Sequence, residues 1–229
     1  MDDKSRRRIR VLVDGPYLVT GRIPLVEDEI IIGADGEPSR WEEKAVHPEQ
    51  ETYALCRCGE SKRTPFCDGT HTKIGFDGTE TGCRDPYLVQ VEWTRGPQVD
   101  LTWSRKLCAE IRFCHRAGDA WTLAEKSDDP AARETAVEEA CCCPSGSLVA
   151  WDKAGQPIEP ELEPSIGLVE SPRTRTSGPI WVKGGIPVEA ADGRVYEVRN
   201  RVTLCRCGKS GAKPFCDGTH LTAGFKAKG

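Results

Sequence analysis

A sixteen-residue stretch occurs twice in this chain of 229 residues. Residues 56–71 read CRCGESKRTPFCDGTH, and residues 205–220 read CRCGKSGAKPFCDGTH. Each copy holds three cysteines and one histidine at the same internal spacing: Cys56, Cys58, Cys67 and His71, then Cys205, Cys207, Cys216 and His220. Four soft or borderline donors in a fixed pattern make a metal or metal-cluster site, and a chain built around two of them folds as small modules stapled by metal. Composition agrees. Only 38% of the residues are apolar and 7% aromatic, which argues against one large continuous core, while twelve cysteines are many for this length.

The recurrence reaches beyond the ligands. Residues 15–24 (GPYLVTGRIP) match residues 178–187 (GPIWVKGGIP) at an offset of 178 − 15 = 163. Both continue to an Ala-Asp-Gly turn, at 34–36 and 191–193, a hairpin signal between β-rich runs. The ligand stretches are offset by 205 − 56 = 149, so the first copy carries fourteen extra residues, read as a polar loop within 36–50. Short β-prone runs, 52–55 (TYAL) and 201–204 (RVTL), lead into the cysteines. The duplicated unit is therefore a whole β-rich module. The expected boundaries are 11–80 for the first module and 176–229 for the second, with residues 1–10 a solvated tail and 155–175 a proline-rich linker.

Residues 84–154 form a different unit. A strand is expected at 87–93 (YLVQVEW). Asp129 reads as an N-cap with Pro130 at the first helical position, ahead of a helix over 131–142. Cys108 and Cys114 stand in a C-x5-C pair, and Cys143 precedes Pro144 after the helix.

The donor spacing bears on the metal. Zinc sites usually draw on C-x2–4-C turns. Here the first pair is C-x-C, which is less typical, and a pair of structural zinc knuckles remains the alternative. Pro65 and Pro214 fix φ ahead of the third cysteine, Gly69 and Gly218 allow close backbone approach, and Asp68 and Asp217 read as N-caps of a short helix whose amides face sulfur.

The stretch Cys-x-Cys-x2-Ser-x3-Pro-x-Cys-Asp-Gly-Thr-His resembles the CDGSH iron–sulfur domain, with Thr70 and Thr219 in place of a serine. The resemblance implies two [2Fe–2S] clusters, one on Cys56, Cys58, Cys67 and His71 and one on Cys205, Cys207, Cys216 and His220. It also implies an intramolecular pseudo-dimer of the two modules, hence a monomer. The middle unit resembles the divergent single-cluster ferredoxin domain, with CPSGSL at 143–148. That implies Cys108, Cys114 and Cys143 as ligands of a [3Fe–4S] cluster, or of a [4Fe–4S] cluster with a fourth ligand from elsewhere. The alternative is a cluster-free domain with buried cysteines. Glu110 occupies a place where that family often has histidine. Cys141 and Cys142 are extra thiols, Cys83 reads as unliganded, and His47 as solvated. The expected fold class is thus α+β and β-rich, two CDGSH-type modules around an inserted ferredoxin-like α+β domain.

A histidine ligand leaves a [2Fe–2S] site less negative than four thiolates do, which raises its potential. Two-histidine Rieske centres lie at roughly −150 to +300 mV, against about −400 mV for plant-type ferredoxins. It also adds a protonatable ligand. The expected function is electron transfer with pH-sensitive clusters, with cluster storage or transfer, or redox sensing, as the alternative. The partner is then a redox protein or an apo-acceptor. No catalytic constellation is legible, so no enzyme is expected. Net charge is −4, which points away from nucleic acid. Residues 119–163 hold eleven acidic and three basic side chains, whereas 205–228 hold five basic and one acidic. The charged start and the lack of a long apolar run argue for a cytoplasmic protein without a membrane partner.

Overall fold

A computed structural model describes residues 7–228. Among the described residues there are three sheets and four short α-helices, with most of the regular structure in strands. The fold class is α+β and β-rich, as expected.

The first sheet has the order β12-β1-β2-β5. Strands β1 (Arg8–Val11), β2 (Tyr17–Thr20) and β5 (Thr52–Leu55) come from the first repeat, and β12 (Val188–Glu189) is added parallel to β1 by the second. The second sheet has the order β13-β11-β10-β3-β4. Here β10 (Ser165–Ser171), β11 (Thr176–Lys183) and β13 (Arg201–Leu204) receive β3 (Leu25–Ile32) and β4 (Pro38–Val46) from the first repeat, with β3 parallel to β10. Each repeat therefore completes a sheet that belongs mainly to the other. One apolar core serves both: Ile9, Tyr17, Val19 and Leu55 from the first, Ile180, Val182 and Leu204 from the second.

The third sheet, β6-β7-β8-β9, belongs to the middle unit, with β6 (Glu92–Arg95), β7 (Asp100–Trp103), β8 (Leu148–Trp151) and β9 (Pro157–Ile158). Helices α2 (Ala120–Glu125) and α3 (Pro130–Cys142) pack on it through Ala120, Ala124, Ala136 and Ala140. Alanine keeps helix and sheet close. A Cβ on Gly96 would lie 1.9 Å from the Ala124 carbonyl oxygen. Asp129 caps α3 by accepting from the Ala131 amide, with Pro130 at the first position as expected. Among the described residues no helix is long and apolar enough to cross a membrane.

Four local expectations are corrected. Regular structure starts at Arg8, inside the segment expected as a tail; residues 1–6 of that tail lie outside the described residues. The expected loop in 36–50 is mostly strand β4, whose run of Glu42, Glu43 and Lys44 suits a sheet edge that must not recruit a partner. Residues 87–89 form a 3-10 turn, because Tyr87 turns inward to bond the Thr102 and Ser147 carbonyls; the strand begins only at Glu92. The expected linker 155–175 contains β9 and β10, and β10 is the central strand of the five-stranded sheet. Pro157 opens β9, and Pro160 and Pro164 lie between the two strands, which masks both in the sequence.

Beside β10 lies a buried ion pair, Lys183 Nζ to Asp28 Oδ2 at 2.7 Å. It fits because Gly167 has no side chain; a Cβ there would lie 1.8 Å from the Asp28 carboxylate. Removing one member of a buried pair leaves the other charge uncompensated. Asp28→Ala is expected to lower stability by about 3–5 kcal/mol, read as the shift in urea midpoint, whereas Asp28→Leu combined with Lys183→Met recovers most of it.

Candidate metal centres

The two ligand loops are built by the same bonds. In the first, β5 delivers Cys56, whose amide donates to the Pro65 carbonyl at 2.8 Å, and the Cys67 amide returns to the Ala54 carbonyl at 2.8 Å. Ser61 Oγ donates to the Phe66 carbonyl inside the loop. Asp68 ties both ends, with one carboxylate oxygen accepting from the Lys62 amide and the other from the Thr70 amide. The second loop repeats this with Pro214, Thr203, Ser210, Phe215, Gly211 and Thr219 around Asp217. The Lys62 amide and the bonds from Thr70 hold the Asp68 carboxyl well below the usual carboxylate range. Asp217 is also low: burial pushes it up, but the bonds from Thr219 and Gly211 outweigh that.

These aspartates are not the N-caps that the sequence suggests. Gly69 and Gly218 occupy that position with φ of 84° and 86°, and each aspartate bonds the first helical amide from one residue further out. The turn leads into α1 (Thr70–Lys73) and α4 (Thr219–Thr222), which place His71 and His220 in the first turn.

The donors then meet two by two. Cys56 Sγ and Cys58 Sγ are 3.7 Å apart, and Cys67 Sγ lies 3.3 Å from His71 Nδ1. In the second copy the values are 3.8 Å for Cys205 and Cys207 and 3.4 Å for Cys216 and His220 Nδ1. All twelve cysteines are free thiols. Burial pushes the Cys58 thiol up to about 11 and the Cys216 thiol further. Amides of Glu60, Gly69 and Gly218 bond Cys58, Cys67 and Cys216 and act the other way. Thiols that burial holds protonated, with amides aimed at their sulfurs, fit a bound cationic core that ionises them.

The two loops also touch. A Cβ on Gly59 would lie 2.5 Å from the Cys207 carbonyl oxygen, and one on Gly208 would lie 2.4 Å from the Cys58 carbonyl oxygen. Tyr17 of the first module donates to the Cys205 and Pro214 carbonyls of the second. The arginine inside each C-x-C pair is a residue that spacing arguments pass over. Arg57 is 1% exposed, bonds the Gly15 and Leu12 carbonyls and lies over the Tyr17 and Phe76 rings. Arg206 pairs with Glu170 at 2.7 Å. Its occurrence in both copies is the signal that marks it.

The sites differ in cover. Cys216 and His220 are 3% and 2% exposed, whereas Cys67 and His71 are only half-buried. Burial pushes His220 down to about 4.

In the middle unit, Cys108, Cys114 and Cys143 line one cavity together with Trp103, Phe113 and Leu148. Burial raises Cys114 to about 12. Burial also acts to raise Cys143, but Arg201, Ser145 and Ser147 outweigh it and lower this thiol. Helix α3 turns Cys141 toward the Ile158 carbonyl and Cys142 toward the cluster of Ile30, Phe113 and Trp181, so neither lines that cavity. Cys83 faces Asp85 and Lys106. His47, expected to be solvated, packs edge-on against Phe66 beside the first site with 20% of its side chain exposed.

The family described as "Iron-binding zinc finger CDGSH type" matches residues 14–72 and 177–221. The family described as "Divergent 4Fe-4S mono-cluster" matches residues 94–153. The chain carries two CDGSH-type iron-binding regions around a divergent 4Fe–4S domain. No curated protein and no solved structure matches it. The two CDGSH regions coincide with the loops just described, and the 4Fe–4S region contains the three thiols that share a cavity.

The glycine contact is testable. Gly59→Ala places a methyl against the Cys207 carbonyl and also strains a φ of 78°. It is expected to lower iron content at both CDGSH loops. Gly36→Ala, at φ 82° with nothing within 4 Å, is expected to cost about 1–2 kcal/mol of stability and leave iron content unchanged. Iron analysis and visible absorption of the two variants make the comparison.

Proposed function

We propose that the chain is an iron–sulfur electron carrier holding two [2Fe–2S] clusters, one on Cys56, Cys58, Cys67 and His71 and the other on Cys205, Cys207, Cys216 and His220. The observation that carries this is the pairing of donors at 3.3–3.8 Å, two thiols in one pair and a thiol with an imidazole in the other. A two-iron cluster takes two protein donors on each iron. Among the described residues no three His, Cys, Asp or Glu side chains gather as they would around a single ion. When bound, such clusters accept and release one electron each.

The rest of the reading follows from the same donors. Cys108, Cys114 and Cys143 hold a [3Fe–4S] or [4Fe–4S] cluster in the middle domain. The two CDGSH modules pair about an internal pseudo-two-fold, supported by the reciprocal approach of Gly59 to Cys207 and Gly208 to Cys58. The protein is then a monomer whose partner is another redox protein, and it has no substrate of its own. Free thiols throughout suit a reducing, cytoplasmic setting.

A second reading is cluster delivery to an apo-acceptor, favoured by the half-buried Cys67 and His71. Incubation of the loaded protein with an apo-ferredoxin separates the two. Electron exchange with iron retained supports the carrier, and transfer of iron and sulfide supports delivery.

The histidines supply two predictions. His71→Cys and His220→Cys each replace a neutral ligand by a thiolate, so each is expected to lower the midpoint of its own cluster and flatten its pH dependence; an unchanged midpoint overturns the assignment. Acid acts by protonating the imidazole away from the metal. The folded protein resists protonating His220 down to about pH 4, while an unfolded histidine takes a proton near 6.5. Stability from His220 is therefore full above about pH 6.5 and lost as pH falls toward 4. Bleaching on acidification is expected in two phases, the less buried first site at the higher pH, followed by visible absorption of wild type against His71→Cys.

A further inference from the structure

The two CDGSH sites have the same donors but different neighbours. Gly218 turns at φ 86°, and a Cβ built on it lies 2.5 Å from Glu110 Cγ and 2.9 Å from Glu110 Cβ. Gly69 makes the same turn at φ 84° with nothing within 4 Å. Glu110 sits between Cys108 and Cys114, in the loop that carries two of the three middle thiols. A cavity of about 320 Å³ lies between the two loops, with Glu110, Ile111 and Arg112 among its lining on one side and His220 and Leu221 on the other.

A second connection runs through Arg201, which is 1% exposed. Its Nη1 donates to the carbonyls of Ala140, Cys141 and Cys143 at 2.8, 2.6 and 2.8 Å, and its Nε pairs with Glu159 at 2.8 Å. The same residue opens β13, the strand that delivers Cys205. One side chain thus joins the turn holding Cys143 to the strand holding the first ligand of the second site. The corresponding residue of the first module is Thr52, which is exposed.

We infer that the middle site is electrostatically coupled to the second CDGSH site and far less to the first. This rests on the iron–sulfur reading above. The physical ground is dielectric. Charges facing each other across buried protein interact strongly, while charges separated by solvent are screened within about 8–10 Å at ordinary salt. Glu110 and Arg201 are the positioning residues of the coupled pair, and the Cys67–His71 edge of the first site is left to face an external partner.

The test uses the full chain loaded with iron and sulfide. Iron and sulfide counts come first; a protein that takes up neither removes the iron–sulfur reading and this inference with it. His71→Cys and His220→Cys then assign the two [2Fe–2S] signals. Cys143→Ser empties the middle site and removes its negative charge. The second site is expected to become easier to reduce, its reduced-to-oxidised ratio at fixed potential rising about tenfold, equivalent to about 59 mV for one electron. The first site is expected to move by less than about twofold on the same scale. Equal movement at both sites, or none with the middle iron lost, overturns the inference. Gly218→Ala and Gly69→Ala give an independent check, since both strain the same turn. Gly218→Ala is expected to change the electron paramagnetic resonance signal of the middle site, and Gly69→Ala to leave it unchanged. A middle-site signal that responds to both or to neither also overturns it.

Discussion

The close approach of two backbones at Gly59 and Gly208 is the contact on which the arrangement depends. Each glycine lies against the carbonyl of the second cysteine in the other copy, nearer than any side chain allows. The two C-x-C pairs are in direct backbone contact, and the strands that lead into them send Leu55 and Leu204 into one shared core. That core follows from the exchange of strands, because β3 and β4 complete a sheet of the second repeat while β12 completes a sheet of the first. A composition too thin for two independent cores is enough for one core shared between two copies.

Much of the candidate donor loop was legible in the sequence because its bonding is local. Four donors within sixteen residues, a Pro before the third and a Gly before the helix fix a loop whatever surrounds it. Strands β5 and β13, the Asp-Gly hairpin and the Asp129–Pro130 start of α3 were likewise readable from neighbours in sequence. What was hidden depends on distant partners. Strand β10 is flanked by prolines and is placed by β3 and β11. Strand β4 is too charged to look like a strand and is held by β3. Tyr87 leaves its extended run because Thr102 and Ser147 offer its hydroxyl buried partners. Exchange of strands between the copies has no sequence signal at all, since either copy could have kept its own.

Duplication also leaves room for divergence. The loop bonds around Asp68 and Asp217 are the same in both copies, yet the second loop is roofed by the middle domain and the first is not. The chemistry of the donors was kept, while access to them was made unequal. Burial alone moves His220 well below the ordinary histidine range. A pair of matching sites thereby acquires an inside and an outside without any change in ligand.

The exchange of strands has a bearing on synthesis. Leu25 of β3 pairs with Ile166 of β10, and 166 − 25 = 141 residues separate them. At about 5–20 residues per second, the first module waits roughly 7–28 s on the ribosome for the strand that covers β3. The middle domain is made during that interval, and its sheet and helices are complete before β10 emerges apart from β9, which directly precedes it. The inserted domain is thus the delay between the two halves of the shared core. During that delay the first set of cysteines stands without the backbone of Cys207 against Gly59, so the packing around it is completed only when the second module arrives.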